Sequence, residues 1–539
     1  MEARFETPDY QRLNAVAAAI QQRDAAKAAQ LAEPELARGV QHPLLFTARA
    51  LALTEKGRNQ DALSDFERAA RLAPTAGAWT AVGVCLTKLD RYDDAAEAFG
   101  QAIALQPNAA MLYYRKGRAL EQARDRVGAK ADYLSAVALD ANHGPALARL
   151  AFGEAQQGAW PDARAYADRA LALDAKDQTA RLVHIMADIR AGELDRAERR
   201  LAEFLSDGTI EEQNRVTALG ELGDLRDRQG RIEEAYEAYA KANTFSEKSY
   251  TGTTTAADIS MAEMVSSLTG YFQNKTQLPR SESPRVPPRT HAFLLGFLRS
   301  GTTLLEQVLA SHPHVVTLEE KGPMVDAIRH FMRQPRDLDP LYRATDAELE
   351  FYRDAYWKNV RKHGVEPSGK TFIDKGPIYT VDLPVIMRLF PDAKILFAIR
   401  DPRDVVLSCF RMRFNTNSTT YELLTLDGAA RFYASVMGLA EIYRRVLPMD
   451  LHEVRHEAFV RDFETEARKV CDVLGLEWDE AMRNFADRSK LGTVSSASGP
   501  QIARGLNQEG VGRWRPYHKQ MASALPLLQP WVEKFGYEA

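Results

Sequence analysis

The stretch AFLLGFLRSGTT, residues 292–303, is the part of the sequence that decides the fold. Its first four residues are continuously apolar, which is typical of a strand buried in a parallel sheet. A loop bounded by Gly296 and Gly301 follows, and the next residues, TTLLEQVL, place their apolar side chains on one helical face. A strand, a glycine-bounded loop and a helix in this order direct backbone N–H groups at an anion. The sequence therefore predicts an α/β domain with a phosphate-binding loop.

The loop has the G-x-x-x-x-G-T-T spacing of a nucleotide P-loop, but Thr302 stands where that motif has lysine. The P-loop lysine serves the β and γ phosphates of a triphosphate, so its replacement argues against an ATPase or a kinase. The remaining groups can hold one tetrahedral anion. They are the charge of Arg299 and the hydroxyl and amide groups of Ser300, Gly301, Thr302 and Thr303.

A second predicted anion site follows another apolar stretch, KILFAI. This stretch ends at Arg400, and Ser408 lies eight residues further on, in the next predicted helix. An arginine at the end of a strand and a hydroxyl on the following helix can hold one phosphate from two sides.

Together these residues resemble the sulfotransferase family, whose signatures are P-R-S-G-T-T after a strand and R-D-P-R-x-x-x-x-S after a later one. The resemblance implies that the donor is 3′-phosphoadenosine-5′-phosphosulfate (PAPS), whose 5′ end is held by residues 296–303. It also implies that Arg400 and Ser408 bind the 3′ phosphate. Leu298 stands where the family has proline.

Two later positions extend this resemblance. The segment Gly512-Arg513-Trp514 resembles one that closes over the nucleotide, which implies that Arg513 is a further donor ligand. His456 replaces a tyrosine-containing segment that contacts the nucleotide in the family, and it is therefore assigned to the donor site. Fixed cations can serve this chemistry, so no metal is expected.

The catalytic groups follow from a resemblance to the tyrosylprotein sulfotransferase branch. The stretch HPHVVTLEE contains a short predicted strand that leads to Glu320, and its spacing is that of the branch, which implies that Glu320 is the catalytic base. The stretch TFIDKGP predicts a strand that ends at Lys375, and the resemblance implies that Lys375 acts on the bridging oxygen, alongside Arg299. Ser498, within VSSASGPQI, matches a serine that assists the sulfate.

The N-terminal part contains a repeat. The pattern Ala62, Phe66, Ala69 returns at a spacing of 33 to 34 residues and fades near Ala197. In five repeats a small residue precedes the leading alanine by twelve positions: Ala50, Gly83, Gly117, Ala151 and Gly223. Small residues allow two antiparallel helices to approach closely. The pattern resembles the tetratricopeptide repeat (TPR) over roughly residues 25–245, which implies a helical solenoid that binds peptides or dimerises. Whether the chain forms a homodimer is open.

These patterns predict two architectures in one chain. Residues 1–245 are predicted to form an α-helical repeat solenoid, and residues 246–290 a helix and a linker rich in proline. Residues 291–539 are predicted to form a three-layer α/β, P-loop-like domain with a parallel sheet.

The composition of the chain limits the classes of binding partner and the cellular compartment that we expect. The chain has 539 residues with 70 basic and 74 acidic side chains, a balance that favours neither nucleic acid nor a membrane as partner. Three scattered cysteines suit a reducing compartment. No secretory signal is visible at the N-terminus, so the cytoplasm is predicted.

The leading hypothesis is a PAPS-dependent sulfotransferase whose repeats bind a protein or the acceptor. Peptide tyrosine, a saccharide hydroxyl and a small metabolite all remain open as acceptors. The rivals are a P-loop-type nucleotide kinase or ATPase, and an inert TPR scaffold.

Overall fold

A computed structural model describes most of the chain, in two compact units that comprise Met1–His184 and Ile185–Ala539. The residues described are 7–251, 259–275, 277–282, 288–332, 338–488 and 505–538. No helix within these ranges is long and apolar enough to cross a bilayer.

The N-terminal part is built of helices that pair in sequence order. They are α1 (Thr7–Gln21), α2 (Ala25–Ala37), α3 (Pro43–Glu55), α4 (Asn59–Leu72), α5 (Ala76–Lys88), α6 (Tyr92–Leu105), α7 (Ala110–Gln122), α8 (Arg126–Leu139), α9 (Gly144–Gln157), α10 (Trp160–Leu173), α11 (Gln178–Ala191), α12 (Leu194–Ser206), α13 (Glu212–Arg228) and α14 (Ile232–Thr251). The predicted helical solenoid is confirmed.

The recurring small residues have a specific packing role. A β-carbon added at Gly83 would lie 2.7 Å from the ring of Phe99, and one at Gly117 would lie 2.7 Å from the ring of Tyr133. The small residue of one helix therefore packs against the aromatic residue of the next. Both rings are buried, and the same contact recurs between Gly223 and Tyr239, where an added β-carbon would collide with the ring.

The second unit contains a five-stranded, fully parallel sheet in the order β2-β3-β1-β4-β5. The strands are β1 (Thr290–Leu295), β2 (Val315–Glu319), β3 (Thr371–Lys375), β4 (Lys394–Ile399) and β5 (Asp450–Arg455). The strands before Gly296, Glu320 and Arg400 and the strand ending at Lys375 were predicted from sequence, whereas β5 was not. Because all five run parallel, their carboxyl ends share one edge of the sheet.

Helices cover both faces of this sheet. They are α15 (Met261–Phe272), α16 (Thr302–Ala310), α17 (Val325–Phe331), α18 (Asp339–Arg343), α19 (Asp346–Lys362), α20 (Leu383–Leu389), α21 (Pro402–Arg411), α22 (Leu426–Val446), α23 (His456–Arg461), α24 (Phe463–Leu474), α25 (Phe485–Arg488) and a C-terminal helix (Leu525–Lys534). Short 3-10 helices span Pro377–Thr380, Thr420–Leu423, Glu480–Asn484 and Arg515–Tyr517.

Alternate residues of β1 pack into two different apolar clusters, one on each face of the sheet. Phe293 and Leu295 belong to one apolar cluster, and Ala292 and Leu294 belong to the other. All four are fully buried, as expected for a strand covered on both faces. This confirms the predicted three-layer α/β architecture with a P-loop-like strand, loop and helix.

Helices α13 and α14 lie in the same compact unit as the sheet. Tyr236 of α14 stacks on Phe410 with ring centroids 5.3 Å apart. The Asn243 side-chain amide donates to the carbonyls of Phe410 and Leu424, both at 3.0 Å. The predicted boundaries at residues 245 and 291 stay a proposal.

Candidate active site

The loop after β1 presents an open helix N-terminus. Gly301 is the N-cap of α16, has φ +100°, and supplies no side-chain cap. The first N–H groups of α16 are therefore available to an anion. A β-carbon at Gly301 would lie 2.7 Å from Nδ1 of His456, so only glycine fits between the loop and that imidazole.

The hydroxyl residues of the loop are buried at the start of α16. Thr302 and Thr303 are its first two residues, and they and Ser300 are each less than a tenth exposed. The Ser300 hydroxyl donates to the Phe297 carbonyl at 2.6 Å, which fixes the turn. Ser300 therefore shapes the loop, and its proton is already engaged within it.

Basic groups converge beside the loop in what we call the arginine corner, comprising Arg299, Arg400, Ser408 and His456. Arg299 Nε donates to Ser408 Oγ at 3.0 Å, and Arg400 Nη1 donates to the Arg299 carbonyl at 3.0 Å. Arg400 Nη2 donates to the Gly510 carbonyl at 2.5 Å. The buried Nε of Arg400 has no hydrogen-bond partner among the described residues.

Burial and the neighbouring charge of Arg400 lower the pKa of Arg299 to about 10. Burial, Arg400 and Arg299 likewise lower the pKa of His456 to about 3, so its imidazole is neutral at physiological pH. An anion bound in this corner would oppose both effects, because it would stabilise the positive charge that burial disfavours.

The carboxylates that flank Arg400 in sequence are engaged elsewhere. Asp401 binds the Arg403 guanidinium at 2.8 and 3.0 Å. Asp404 accepts the N–H groups of Gly512 and Trp514 at 2.7 and 2.9 Å. The hydrogen bonds of the Arg400 guanidinium therefore go to main-chain carbonyls rather than to these acids.

A second group lies at the neighbouring strand ends, and we call it the glutamate–lysine cluster: Glu306, Glu319, Glu320 and Lys375. The Lys375 ammonium is fully buried and lies 2.9 Å from Glu320, 3.0 Å from Glu319 and 3.4 Å from Glu306. The carboxylate side chains are 24%, 10% and 1% exposed, respectively. Glu320 is thus the most accessible of the three to an acceptor.

Glu306 was not singled out by the sequence analysis. Burial raises its pKa to about 8, although Lys375 acts in the opposite direction. The three carboxylates raise the pKa of Lys375 against the effect of burial, so the lysine stays charged. Burial thus favours the neutral form of Glu306, and the surrounding carboxylates favour the charged form of Lys375.

Backbone strain coincides with the predicted catalytic residues. Arg299 has φ +67° and Glu320 has φ +51°, a region that residues with a β-carbon rarely occupy. The Glu320 N–H donates to the Lys375 carbonyl at 2.8 Å, which continues the β2–β3 pairing by one step. Strained residues that the surrounding structure holds in place are concentrated at functional sites.

The other predicted residues lie further from the loop or outside the described ranges. Arg513 is half-exposed and pairs with Asp227 of α13. Trp514 is buried beneath the Arg403 guanidinium, 4.1 Å from the ring centroid. Ser498 lies outside the described residues. In the part of the chain that is described, no group of three or more His, Cys, Asp or Glu could hold a metal ion.

Family comparisons agree with this geometry. Residues 292–480 match the model of the sulfotransferase family, and residues 76–109 match that of the tetratricopeptide repeat. The chain therefore carries a sulfotransferase domain and TPR repeats. The first match includes the loop, both strand ends of the glutamate–lysine cluster, and Arg400 with Ser408.

Individual relatives cover about half of the chain. An uncharacterised Aquifex aeolicus protein is 23% identical over 46% of this chain and 33% of its own length. Protein-tyrosine sulfotransferase 2 of Gallus gallus is 27% identical over 46% of this chain and 69% of its own length. A solved sulfotransferase domain from the curacin biosynthetic pathway is 17% identical, with a TM-score of 0.31, and covers 47% of this chain and 99% of that domain.

The chain thus spans a third of the Aquifex relative and about two thirds of the avian one. The family match and the curated relatives define residues 292–480 as a sulfotransferase domain similar to protein-tyrosine sulfotransferases. PAPS is the co-substrate that this family implies.

Proposed function

We propose that the protein transfers a sulfuryl group from PAPS to a hydroxyl acceptor. The observation on which the proposal depends is that two sites lie at the same edge of the sheet. The arginine corner holds the buried Arg400 and the half-buried Arg299 beside a helix N-terminus that has no side-chain cap, and the glutamate–lysine cluster lies at the ends of β2 and β3. One site suits a donor with several negative charges, and the other suits a proton transfer.

In this proposal the loop and Arg299 hold the 5′ phosphosulfate, and Arg400 and Ser408 hold the 3′ phosphate. Glu320 takes the acceptor proton as the acceptor oxygen bonds to sulfur. The bond from sulfur to the bridging oxygen breaks, and the departing phosphate keeps the electron pair. Lys375 and Arg299 stabilise the charge that develops on that oxygen. Ser498 and Arg513 are proposed as additional contacts to sulfate and donor.

Glu320 is paired with Lys375 before any acceptor arrives. The ion pair places the Lys375 charge beside the carboxylate, and the partial exposure of Glu320 leaves an oxygen within reach of an acceptor. Glu306 and Glu319 share the lysine but are less exposed, so their proposed part is to hold it in place.

The acceptor is proposed to be a peptide tyrosine, because the named relatives are protein-tyrosine sulfotransferases. Repeats of the TPR type generally mediate protein–protein interactions, and here they are proposed to select the protein acceptor. The homodimer and the cytoplasmic location stay predictions.

The test is transfer from sulfur-35-labelled PAPS into a cell extract and into tyrosine peptides, by wild type, Glu320→Gln and Glu319→Gln. The latter is a matched control because both carboxylates bind Lys375 at similar distances. We expect Glu320→Gln to bind donor normally and to lose transfer about 100- to 10,000-fold, while Glu319→Gln retains most activity.

The rival functions give different results in the same assay. A wild-type protein that binds donor but labels no acceptor would be an inert scaffold. Tight binding of ATP with magnesium, and none of a 3′-phosphorylated nucleotide, would favour a kinase or ATPase.

A further inference from the structure

One carboxylate of the repeats makes contacts that the predicted mechanism does not use. Asp227 lies in the last turn of α13, and its side chain is 6% exposed. Its carboxylate accepts from Tyr517 Oη at 2.8 Å and from Arg411 Nη2 at 3.0 Å, and it also pairs with Arg513. A single buried repeat residue thus binds three groups of the sulfotransferase part.

Two of these groups, Arg513 and Tyr517, belong to the segment from Gly510 to Tyr517. The same segment reaches the arginine corner from its other end, where the Gly510 carbonyl accepts from Arg400. A β-carbon added at Gly510 would lie 2.9 Å from Arg400 Nη2. The segment therefore packs directly on the guanidinium that is assigned to the 3′ phosphate.

The third group, Arg411, is the last residue of α21. One turn earlier this helix carries Ser408, which contacts Arg299. The N-terminal turn of the same helix carries Asp404, which accepts two N–H groups of the segment. Asp227 and Asp404 thus hold the segment against α21 from two sides.

Two neighbouring acidic residues of α13 also bind arginines at or just after the end of α21. Among the described residues their partners lie outside the segment from Gly510 to Tyr517. Glu221 binds Arg413 at 2.7 Å, and Asp224 lies 3.5 Å from both Arg411 and Arg413. The Arg413 side chain crosses α13 at Gly220, where a β-carbon would collide with it. Of the three acids, Asp227 is the one that joins α21 to the 510–517 segment.

We propose that Asp227 is a positioning residue of the donor site, which holds Ser408 and the segment over Arg400 in the arrangement that receives the 3′ phosphate. The inference rests on the proposed function. It makes the last repeats part of the donor site, and it gives them a role besides binding a protein partner. A partner that displaces α13 would weaken donor binding through the same contact.

The test compares full-length wild type, Asp227→Asn and Glu198→Gln. The asparagine keeps the shape of the side chain but removes its charge. Glu198 is a matched control because it accepts from Arg226, Gln229 and Arg231 within the repeats. Titration calorimetry with adenosine 3′,5′-bisphosphate measures donor-site affinity, and steady-state kinetics separates KM for PAPS from kcat.

For Asp227→Asn we expect the Kd and the KM to rise at least tenfold, with kcat changed less than threefold. Amide exchange should rise in residues 510–517 and stay unchanged in β1 and β3, which establishes that the variant is folded. Tyr517→Phe removes one of the three contacts and should raise the Kd by a smaller factor. Glu198→Gln should bind as wild type does.

The outcomes separate the two proposals. Wild-type affinity in Asp227→Asn, or an equal loss in Glu198→Gln, would overturn the positioning role alone. A wild-type protein that fails to bind the bisphosphate would overturn the proposed function, and the positioning role with it. A fall in kcat at unchanged KM for PAPS would also contradict the positioning role of Asp227, because a residue that positions the donor site acts on donor binding.

Discussion

The arginine corner and the glutamate–lysine cluster occupy the same edge of one sheet, yet they treat buried charge in opposite ways. In the corner, Arg299 has a lowered pKa because burial and a second arginine disfavour its charge. In the cluster, Lys375 has a raised pKa because three carboxylates surround it. The first arrangement gathers positive charge beside a loop that can bind an anion, whereas the second surrounds one lysine with three carboxylates.

The largest expected effect is on the free energy of unfolding, which should fall much further when Lys375 is replaced than when Arg299 is replaced. Lys375→Met leaves carboxylates buried without a counter-charge and should cost about 3–5 kcal/mol of unfolding free energy. Arg299→Met removes a half-buried charge that burial and Arg400 disfavour, and should change stability by less than about 1 kcal/mol. Amide exchange of β3 under native conditions measures both. Equal losses in the two variants would mean that the corner is also neutralised internally.

A second prediction tests which phosphate the corner receives. Arg400→Ala should weaken binding of adenosine 3′,5′-bisphosphate by about 10- to 100-fold, as expected when hydrogen bonds to a charged group are lost. Binding of adenosine 5′-phosphate should change much less. Calorimetry with the two nucleotides gives the comparison, and a parallel loss for both would place Arg400 at the 5′ end instead.

A third prediction concerns the space between loop and imidazole. In Gly301→Ala the alanine would have to adopt a φ of +100°, and its β-carbon would clash with the His456 ring. The left-handed backbone alone costs about 1–2 kcal/mol. Donor affinity should therefore fall about tenfold. The double variant Gly301→Ala, His456→Ala should lose less affinity than the two single variants lose together, and additive losses would exclude the steric explanation.

The smallest expected effect is a change in pH dependence from Glu306. Its pKa is about 8 in the folded protein against an ordinary 4.5, so the folded state binds the extra proton and loses stability as pH rises from about 5 to 8. Glu306→Gln should reduce that slope, by at most about 1.4 kcal/mol per pH unit. Amide hydrogen exchange in β3 at pH 5.5, 6.5 and 7.5 gives the free energy of unfolding at each pH, and therefore its slope with pH.

The exposed Glu97→Gln in the repeats is the control for this measurement. It should leave the pH dependence as in wild type. An unchanged slope in Glu306→Gln would show that another group holds the proton.

The sequence was sufficient where local pattern and chemistry coincide. The apolar stretch before Gly296, the loop and α16 were predicted closely because a buried parallel strand and a glycine-bounded turn have few alternatives. The strand β5 was missed because its residues are mostly half-buried, and the edge of a sheet imposes little apolar pattern.

Glu306 was missed because it lies among leucines on a short helix, and only the ends of β2 and β3 make it a partner of Lys375. Asp227 was missed for a related reason. Acids at 221, 224 and 227 recur every third residue of α13, which suggests one acidic side, but the arginines that bind them come from distant parts of the chain.

The left-handed backbone of Arg299 has a consequence for efforts to engineer this protein. Glycine at 299 would relieve both the conformational strain and the burial of a charge. A selection for heat resistance alone should therefore enrich glycine at this position and discard the donor site. Stabilised libraries of this chain need a simultaneous selection for nucleotide binding to keep the proposed donor site.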